Sequence, residues 1–444
     1  MFAINALKIE LYHQGARPEF VTKQDSVSKV RILLLTTYFE PDVASTGVIF
    51  GKLAHEFADH GHTVTVLTSC PHYDPRHRWP EFSRGLFFIE RAGPLRIYRV
   101  RVHASPDRSS VLHRLLSYAS FHFLAFVAGL ILPKQDVILV ASPPLSNGVV
   151  AWLLARLRRI TFIYNVQDIW PDVIVRSGIV KNRWIIHCLK LMEAHVYKTA
   201  ACMSVISDGF RANLLGKGVP EEKISVIPNF IDTDFVIPRP KNNDFALRHG
   251  VADKFVVLFA GNMGLSQDLA TVAESARELS KYSDIQFLLV GDGAGRQAAE
   301  MHVGALGCAN LQFLPYQSRE QVPDMYGSSD VCLIPLRAGF AAESVPCKLF
   351  SIMAAERAAI ASVDRNSDTW KLMDRLKCGL CVEPGRPAQL AEAILTLYRD
   401  AAAKAALGKA GRRSLELEFL PKAIAGRYLG LLQRLTCSPS LHQD

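Results

Sequence analysis

Short apolar runs, each followed by a loop and a helical segment, recur along almost the whole chain of 444 residues. The first run, 30–35 (VRILLL), is rich in branched residues and lacks the regular alternation of a half-exposed strand. It is typical of a parallel strand buried on both faces. Repeated alternation of such strands with helices predicts α/β domains, in which helices cover both faces of a parallel sheet.

The alternating segments fall into two sets, separated at 229–243 by a segment rich in Pro, Asp and Asn that is predicted to be a linker. Strands are predicted at 30–35, 64–68, 97–102, 137–141, 161–166, 202–206 and 224–227, and then at 256–260, 286–290, 311–314, 331–335, 359–363 and 379–382. The sequence therefore predicts two doubly wound, Rossmann-like domains, at 30–235 and 236–415, that face each other across a cleft. An N-terminal extension (1–29) precedes them. A C-terminal helix and tail (416–444) follow, and the helix is expected to pack back on the first domain.

Charge and cysteine content limit the partners and the compartment. The formal net charge of +9 favours an anionic partner such as a nucleotide diphosphate or a lipid surface, and a generic basic surface is the alternative. The nine scattered cysteines favour a reduced, cytosolic compartment. One Cys-x-x-Cys pair, Cys378 and Cys381, has no second pair of ligands at matching spacing, so no metal site is expected there.

The longest uncharged apolar run, 119–132 (ASFHFLAFVAGLIL), is too short to span a bilayer. Arg108 and Arg114 precede it. A basic flank followed by an apolar helix is typical of a monotopic membrane contact, with Phe126 among its apolar residues. A buried core helix is the alternative.

Two loops of the first domain carry candidate functional residues. The loop after the first strand leads through Gly47 into a helix, where free backbone N–H groups could meet a diphosphate, or it is an ordinary loop. Asp168 directly follows the predicted strand 161–166, which places its carboxylate at the cleft. There burial would raise its pKa, as a general acid or base requires. A helix N-cap is the alternative for this residue.

The second domain carries a turn at Gly291 and a longer segment, 335–351, that leads from a strand into a helix. The turn Gly291-Asp-Gly293 lacks a complete dinucleotide fingerprint, so it is weak support for a nucleotide. Glu343 and Lys348 fall near the start of the helix. A lysine at that end adds to the helix dipole as an anion site, and a carboxylate can accept hydrogen bonds from sugar hydroxyls. Ordinary surface residues are the alternative.

Eight short stretches follow one another in a specific order and spacing: 61–68 (GHTVTVLT), 71–73 (PHY), 142–144 (SPP), 168–171 (DIWP), 227–229 (IPN) with Asp232, 259–264 (FAGNMG), 289–293 (LVGDG) and 344–346 (SVP) with Lys348. Taken together, they resemble glycosyltransferase family 4, whose members are retaining enzymes of the GT-B fold. The likeness is in particular to bacterial transferases of O-antigen, colanic-acid and capsule assembly, including fucosaminyl transferases. The resemblance covers about 30–435.

The resemblance implies a role for each part. The first domain would bind the acceptor and the second an NDP-sugar, such as a UDP-sugar, without a bound metal or other cofactor. Catalytic roles fall to Asp168, beside the attack on the sugar, and to Glu343, at the donor sugar. The implied donor-binding residues are Gly47, Asn262, Gly264, Gly291, Lys348 and Ser351, and the acceptor or membrane residues are Arg108, Arg114 and Phe126.

The resemblance also implies a cellular setting, and this sequence departs from the family pattern at three positions. Transfer of a hexosyl or N-acetylaminohexosyl group to a lipid-linked glycan is expected at the inner face of the cytoplasmic membrane, with no nucleic-acid partner. Ser351 stands where relatives have a second glutamate, Glu356 where they usually have glycine, and Gln267 where many have a basic residue. An NDP-sugar epimerase of similar fold and a non-catalytic scaffold of a polysaccharide assembly complex are the alternatives.

Overall fold

The computed structural model describes residues 29–42, 44–72, 79–103, 111–176, 180–231, 233–340 and 347–437. They form two α/β units, each built on its own sheet. The first strand illustrates how the apolar runs produce this arrangement. Leu33 and Leu35 pack into one core cluster, whereas Ile32 and Leu34 pack into another on the opposite face. A strand covered on both faces needs apolar side chains at every position, which is what these runs supply.

The first unit has a sheet in the order β3-β4-β2-β1-β5-β6-β7-β8, in which all neighbours are parallel except β3 and β4. Its strands are β1 (Arg31–Leu35), β2 (Thr63–Ser69), β3 (Phe87–Ala92), β4 (Leu95–Val100), β5 (Val137–Ser142), β6 (Thr161–Val166), β7 (Cys202–Val205) and β8 (Ile224–Val226). Its helices are α1 (Ser45–Asp59), α2 (Val111–Ile131), α3 (Ser146–Arg158), α4 (Asp172–Arg176), α5 (Arg183–Thr199) and α6 (Asp208–Gly216). The strand order reverses between β1 and β5, which opens a crevice at their carboxyl ends.

The second unit has an all-parallel sheet in the order β11-β10-β9-β12-β13-β14. Its strands are β9 (Phe255–Ala260), β10 (Ile285–Val290), β11 (Leu311–Leu314), β12 (Val331–Pro335), β13 (Ala358–Ser362) and β14 (Gly379–Val382). The helices are α7 (Asp244–Arg248), α8 (Leu269–Glu278), α9 (Arg296–Leu306), α10 (Val322–Gly327), α11 (Cys347–Ala354), α12 (Asp368–Leu376), α13 (Pro387–Arg399), α14 (Ala401–Glu418) and α15 (Pro421–Cys437). Here the order reverses between β9 and β12.

The predicted fold class of two doubly wound parallel-sheet units is confirmed, and one strand was not predicted. This strand, β3, lies antiparallel at the sheet edge and alternates between exposed and half-buried positions. Because its inward residues are only half-buried, it lacks the continuous apolar run that identifies the central strands. The neighbouring strand was predicted at 97–102, whereas β4 occupies Leu95–Val100.

The last helix, α15, packs against α1 on the first unit, although it follows the second unit in sequence. Leu432 of α15 is fully buried in the same core cluster as Leu53 and Phe57 of α1. The Tyr428 hydroxyl accepts a 2.7 Å hydrogen bond from Asn165 Nδ2, which lies in β6. The chain end therefore supports the strand that precedes Asp168.

We expect Leu432→Ala to lower the free energy of unfolding by about 2–5 kcal/mol, because it leaves a cavity in this core. Urea unfolding followed by circular dichroism measures the change. Leu417→Ala, at a position on α14 that is 70% exposed, is the control and should stay within about 0.5 kcal/mol of the parent. Equal effects of the two substitutions would contradict the packing of α15 described above.

Candidate active site

Two glycine-containing loops, after β9 and β10, pack backbone against backbone at the carboxyl edge of the second sheet. Gly291 has φ +142°, and a Cβ there would overlap the carbonyl oxygen of Gly261. Gly293 has φ +150°, and its Cβ would lie 2.7 Å from the carbonyl oxygen of Met263. Only glycine fits both the left-handed conformation and the close approach. The Met263 N–H donates a 2.8 Å hydrogen bond to the Asp292 carbonyl, which fixes one loop on the other.

The predicted donor residues Asn262, Gly264 and Gly291 come together in this pair of loops. Asn262 Oδ1 lies 2.6 Å from the position that a Cβ of Gly293 would take, and Asn262 Nδ2 lies 3.1 Å from the corresponding point at Gly264. The exposed Asn262 amide therefore lies beside the backbone of two glycines. Such a surface lets a ligand approach the main chain closely.

Lys348 reaches the loop after β9 from the first turn of α11. Its Nζ donates a 3.0 Å hydrogen bond to Gln267 Oε1 and lies 4.0 Å from the ring centroid of Phe259. Its Cε lies 2.8 Å from the point that a Cβ of Gly261 would occupy. Among the described residues no carboxylate pairs with this ammonium group. Burial lowers the pKa of Lys348 to about 7, because desolvation disfavours the charged form.

Glu343 and Ser351 are the other two residues predicted to bind the donor around α11. Glu343 lies outside the described residues. Ser351 lies on α11 about one helical turn after Lys348, and its hydroxyl interacts with the buried phenol of Tyr326. The described contacts thus join Ser351 to α10 and not to the glycine loops, and its predicted contact with a ribose stays a prediction.

Gly47 lies in the first turn of α1 and is buried. A Cβ at this position would lie 3.3–3.4 Å from backbone atoms of Tyr38, Phe39 and Asp42, in the loop after β1. The glycine lets the start of α1 pack tightly on that loop. Contact of Gly47 with a phosphate remains a prediction.

Asp168 follows β6 by two residues and is half-buried. Burial raises the pKa of its carboxyl group. Among the described residues, no donor hydrogen-bonds this carboxylate, and α4 begins only at Asp172. The structure therefore gives no support to the alternative that Asp168 caps a helix.

Hydrogen bonds of Gln167 and the burial of Ile169 hold the loop of Asp168 in place. The Gln167 side chain donates to Asn165 Oδ1 at 2.8 Å and accepts from Asn229 Nδ2 at 2.7 Å. Ile169, the next residue along the chain, is fully buried. The carboxylate is thereby fixed at the sheet edge without being used in the support of its own loop.

The edge that carries Asp168 faces the second unit. β7 is the parallel neighbour of β6, with Val205 opposite Val166, so Ser207 and Asp168 end neighbouring strands at the same edge. Ser207 and Phe350 of α11 both line a cavity of about 280 Å³ between the units. Two residues after Ser207, the Gly209 N–H donates a 2.9 Å hydrogen bond to Asp368 Oδ2 of α12, which belongs to the second unit.

The predicted acceptor and membrane residues all belong to α2 or to the segment before it. Arg108 and the side chain of Arg114 lie outside the described residues. Phe126 is half-buried and packs against the core, whereas Phe123, three residues earlier, is 67% exposed. The outward apolar residue in this part of α2 is therefore Phe123, because the core side of the helix takes up Phe126.

The part of the chain that the structure describes contains neither a membrane-spanning helix nor a candidate metal site. None of its helices combines the length and apolar character needed to cross a membrane. Within the same residues, no group of three or more His, Cys, Asp or Glu side chains is placed to hold a metal ion.

The sequence did not identify three contributors to this site. Gly261 accommodates Lys348, Phe259 supplies the ring beneath the ammonium group, and Phe350 lines the cavity between the units. Phe259 and Gly261 lie in the stretch 259–264 that carries the family resemblance, but the sequence assigned no role to either. Phe350 has the same apolar character as the core around it, so no sequence pattern sets it apart.

Comparison with known proteins follows the division into two units. The family model described as a glycosyl transferase 4-like domain matches residues 46–229, and the model described as glycosyl transferases group 1 matches residues 243–414. WcaI of Escherichia coli (strain K12), described as a glycosyl transferase of colanic acid biosynthesis, is 26% identical over 381 residues. That match spans 84% of this chain and 92% of WcaI.

Solved structures of similar fold cover the same range. Sucrose-phosphate synthase from Thermosynechococcus elongatus superposes with a TM-score of 0.70 at 20% identity, over 92% of this chain and 99% of that chain. HepE of Anabaena, solved with UDP-glucose, superposes with a TM-score of 0.67 at 16% identity, over 91% of this chain and 100% of that chain.

We expect Gly291→Ala to displace the loop after β10 and to abolish ligand-induced stabilisation by a nucleotide sugar, because the new methyl group would overlap the Gly261 carbonyl. Gly304→Ala is the matched control, since no atom lies within 4 Å of its Cβ position on α9. Alanine is about 1 kcal/mol more favourable than glycine within a helix, so the control should be neutral or slightly stabilising. Thermal shift with and without ligand measures both. An unchanged ligand response in Gly291→Ala would contradict a site at these loops.

Proposed function

This chain belongs to glycosyltransferase family 4 and has the GT-B fold, and we propose that it is a retaining transferase that uses an NDP-sugar. The transferred group is a hexosyl or N-acetylaminohexosyl unit, with a fucosamine-type sugar as one candidate. The acceptor is a lipid-linked glycan of surface polysaccharide biosynthesis. The observation that carries the proposal is Lys348, a half-buried cation that lies against the glycine loop after β9 without a carboxylate partner among the described residues.

The second unit offers a place for a diphosphate. Lys348 supplies the cation, and the start of α11 supplies backbone N–H groups and the positive end of a helix dipole. The glycine backbone around Asn262 gives the nucleotide an unobstructed surface. Uridine is the favoured base because HepE was solved with UDP-glucose. Glu343 precedes α11 by four residues and is proposed to contact the donor sugar.

The acceptor side is assigned to the first unit, where Asp168 is the candidate catalytic residue. Its carboxylate would accept the proton of the reacting hydroxyl and thereby assist attack on the anomeric carbon. During transfer the bond from that carbon to the diphosphate breaks, and a bond to the acceptor oxygen forms on the same face. Lys348 would stabilise the negative charge that develops on the leaving diphosphate.

Metal-independent catalysis is part of the proposal, because Lys348 and the helix dipole of α11 can neutralise the leaving group. Family membership favours transfer to an acceptor over the epimerase and scaffold alternatives. The name of WcaI supports a step in the assembly of a surface polysaccharide. The inner face of the cytoplasmic membrane is the proposed location, with the exposed side of α2 around Phe123 as one contact.

We expect the affinity for UDP-glucose to fall as the pH rises above about 7, by up to tenfold per unit. Binding of an anion favours protonated Lys348, and the free site loses that proton near its pKa of about 7. Calorimetry between pH 6 and 8.5, in two buffers of different ionisation enthalpy, measures both the affinity and the proton uptake.

Two substitutions at Lys348 serve as controls for this pH dependence. Lys348→Arg keeps its charge throughout this range and should flatten the profile. Lys348→Met should weaken binding about 10- to 100-fold at pH 6, because it removes a charge-assisted hydrogen bond. A flat profile in the wild-type protein would refute the role of Lys348.

We expect Asp168→Asn to lower kcat by about 10²–10⁴-fold, because the amide cannot accept a proton. The donor is first identified by thermal shift. The rate at which the enzyme hydrolyses this donor, with water in place of the acceptor, is then measured as a function of pH. Burial raises the pKa of Asp168. The wild-type rate should therefore fall on acidification at a pH above the ordinary aspartate value of about 3.9.

Asp172→Asn is the matched control for Asp168, because Asp172 instead pairs with Lys217 Nζ at 2.8 Å. The control should lose stability and keep the acid limb of the pH profile. Proton NMR of the transfer product distinguishes retention from inversion. A wild-type rate in Asp168→Asn would exclude Asp168 as the catalytic residue.

A further inference from the structure

The N-terminal half of α5 is exposed on nearly all sides, although its second half packs on the first unit. Trp184, Ile185 and Leu191 are 80%, 50% and 58% exposed. The second half is held by Glu193, Val196 and Tyr197, which are buried. Packing within the part of the chain that the structure describes does not explain a tryptophan this exposed at the end of a helix.

The outward side of the first turns of this helix carries apolar side chains. Trp184, Cys188 and Leu191 recur at a spacing of four and then three residues and are all exposed, which places them on one face. Glu193 lies nine residues after Trp184, or two and a half turns, and therefore on the opposite side. A surface helix of a globular protein ordinarily shows the reverse distribution, with polar residues outward.

All but one of the charged residues of α2, α3 and α5 are basic. α2, α3 and α5 together contain a single acidic residue, Glu193, which is buried and accepts a 2.6 Å hydrogen bond from Lys217 Nζ. The cations of α3 and α5 with exposed side chains are Arg156, Arg183, Lys190 and Lys198. Arg183 lies in the first turn of α5, where it opposes the helix dipole, so local helix stability does not account for it.

The three helices form one continuous layer. α3 contacts both α2 and α5. Arg158 of α3 donates hydrogen bonds of 2.7 and 2.9 Å to the carbonyl groups of Gly129 and Leu132, at the end of α2. Leu157 of α3 is exposed between two exposed arginines, Arg156 and Arg159. Exposed apolar residues thus extend from α2 across α3 to α5, and exposed cations lie beside them on α3 and α5.

We propose that residues 181–191, at the start of α5, are a second membrane-contact segment that binds an anionic lipid bilayer. Trp184, Ile185 and Leu191 enter the boundary between headgroups and acyl chains, where tryptophan is favoured. Arg183 and Lys190 contact the anionic headgroups. The proposal rests on the proposed function only in placing the acceptor at a membrane. Its surface lies outside the donor site.

This segment is connected to the loop of Asp168. Lys217 Nζ bridges Glu193 of α5, at 2.6 Å, and Asp172 of α4, at 2.8 Å. Asp172 follows Asp168 by four residues. Trp184 lies about 14 Å along the helix axis from Glu193, at 1.5 Å per residue. A bilayer that holds the start of α5 would therefore fix how the edge carrying Asp168 is presented to a lipid-linked substrate.

Flotation of the full-length protein with vesicles tests this surface. The vesicles contain phosphatidylcholine alone, or an equal mixture of phosphatidylcholine and phosphatidylglycerol. We expect binding to the anionic vesicles that decreases with added salt. Arg183→Gln and Lys190→Gln should each lower the partition coefficient about fivefold, and about 25-fold together. Lys409→Gln, at an exposed position on α14, is the matched control and should bind as the wild type does.

The apolar contribution is tested separately. Trp184→Asp with Leu191→Asp should lower binding at least as much as the double glutamine variant, whereas Leu417→Asp on α14 should not. Phe123→Asp measures how much α2 by itself contributes to vesicle binding. Wild-type binding by the α5 variants would overturn the proposal. A dimer seen by sedimentation velocity that these variants dissociate, without vesicle binding by the wild type, would instead make the surface an interface between copies.

Thermal shift with UDP-glucose keeps this test independent of the proposed function. The α5 variants should retain the wild-type response to the ligand, because their substitutions lie outside the donor site, and this response also reports that they are folded. Vesicle binding by a protein with no response to any NDP-sugar would remove the proposed function and leave the membrane-contact segment in place.

Discussion

The contact between the backbones of Gly261 and Gly291 determines the shape of the candidate donor site. No side chain larger than hydrogen fits at Gly291, where the loop after β10 lies against the loop after β9. The same close approach leaves space beside Gly261 for the stem of Lys348. The ammonium group thereby lies over the Phe259 ring and against Gln267. Two neighbouring strands thus place a cation from a third element at the edge of the sheet.

Burial shifts the pKa of both candidate functional groups, the Lys348 ammonium and the Asp168 carboxyl. Lys348 and Asp168 lie in different units, and among the described residues neither has a partner of opposite charge. Desolvation shifts the pKa of each toward its neutral form, downward for the lysine and upward for the aspartate. An anionic donor would restore the charge of Lys348. Charges kept unpaired in this way are available to a substrate, whereas Asp172, paired with Lys217, is part of the scaffold.

Many features of the fold could be predicted from the sequence, because strands buried on both faces leave continuous apolar runs. The edge strand β3 could not, since only one of its faces is even half-buried. Asn262, Gly264, Gly291 and Lys348 were predicted and come together. Ser351 instead lies beside Tyr326, and Phe126 packs on the core, with Phe123 outward. A sequence pattern places a residue on an element, but the rotation of that element is set by what packs against it.

The sequence by itself determined the two-unit α/β fold, the ends of the central strands and the positions of Asp168 and Lys348 after or near those ends. Apolar periodicity and helix boundaries are local, so a linear pattern suffices for them. Only the tertiary structure decided that Lys348 contacts Gln267, that Asn165 contacts Tyr428 across most of the chain, and that the start of α5 extends beyond the core with its apolar face outward. These features depend on how segments that are distant in sequence pack together and on which surfaces they leave uncovered. A local sequence pattern does not determine that packing.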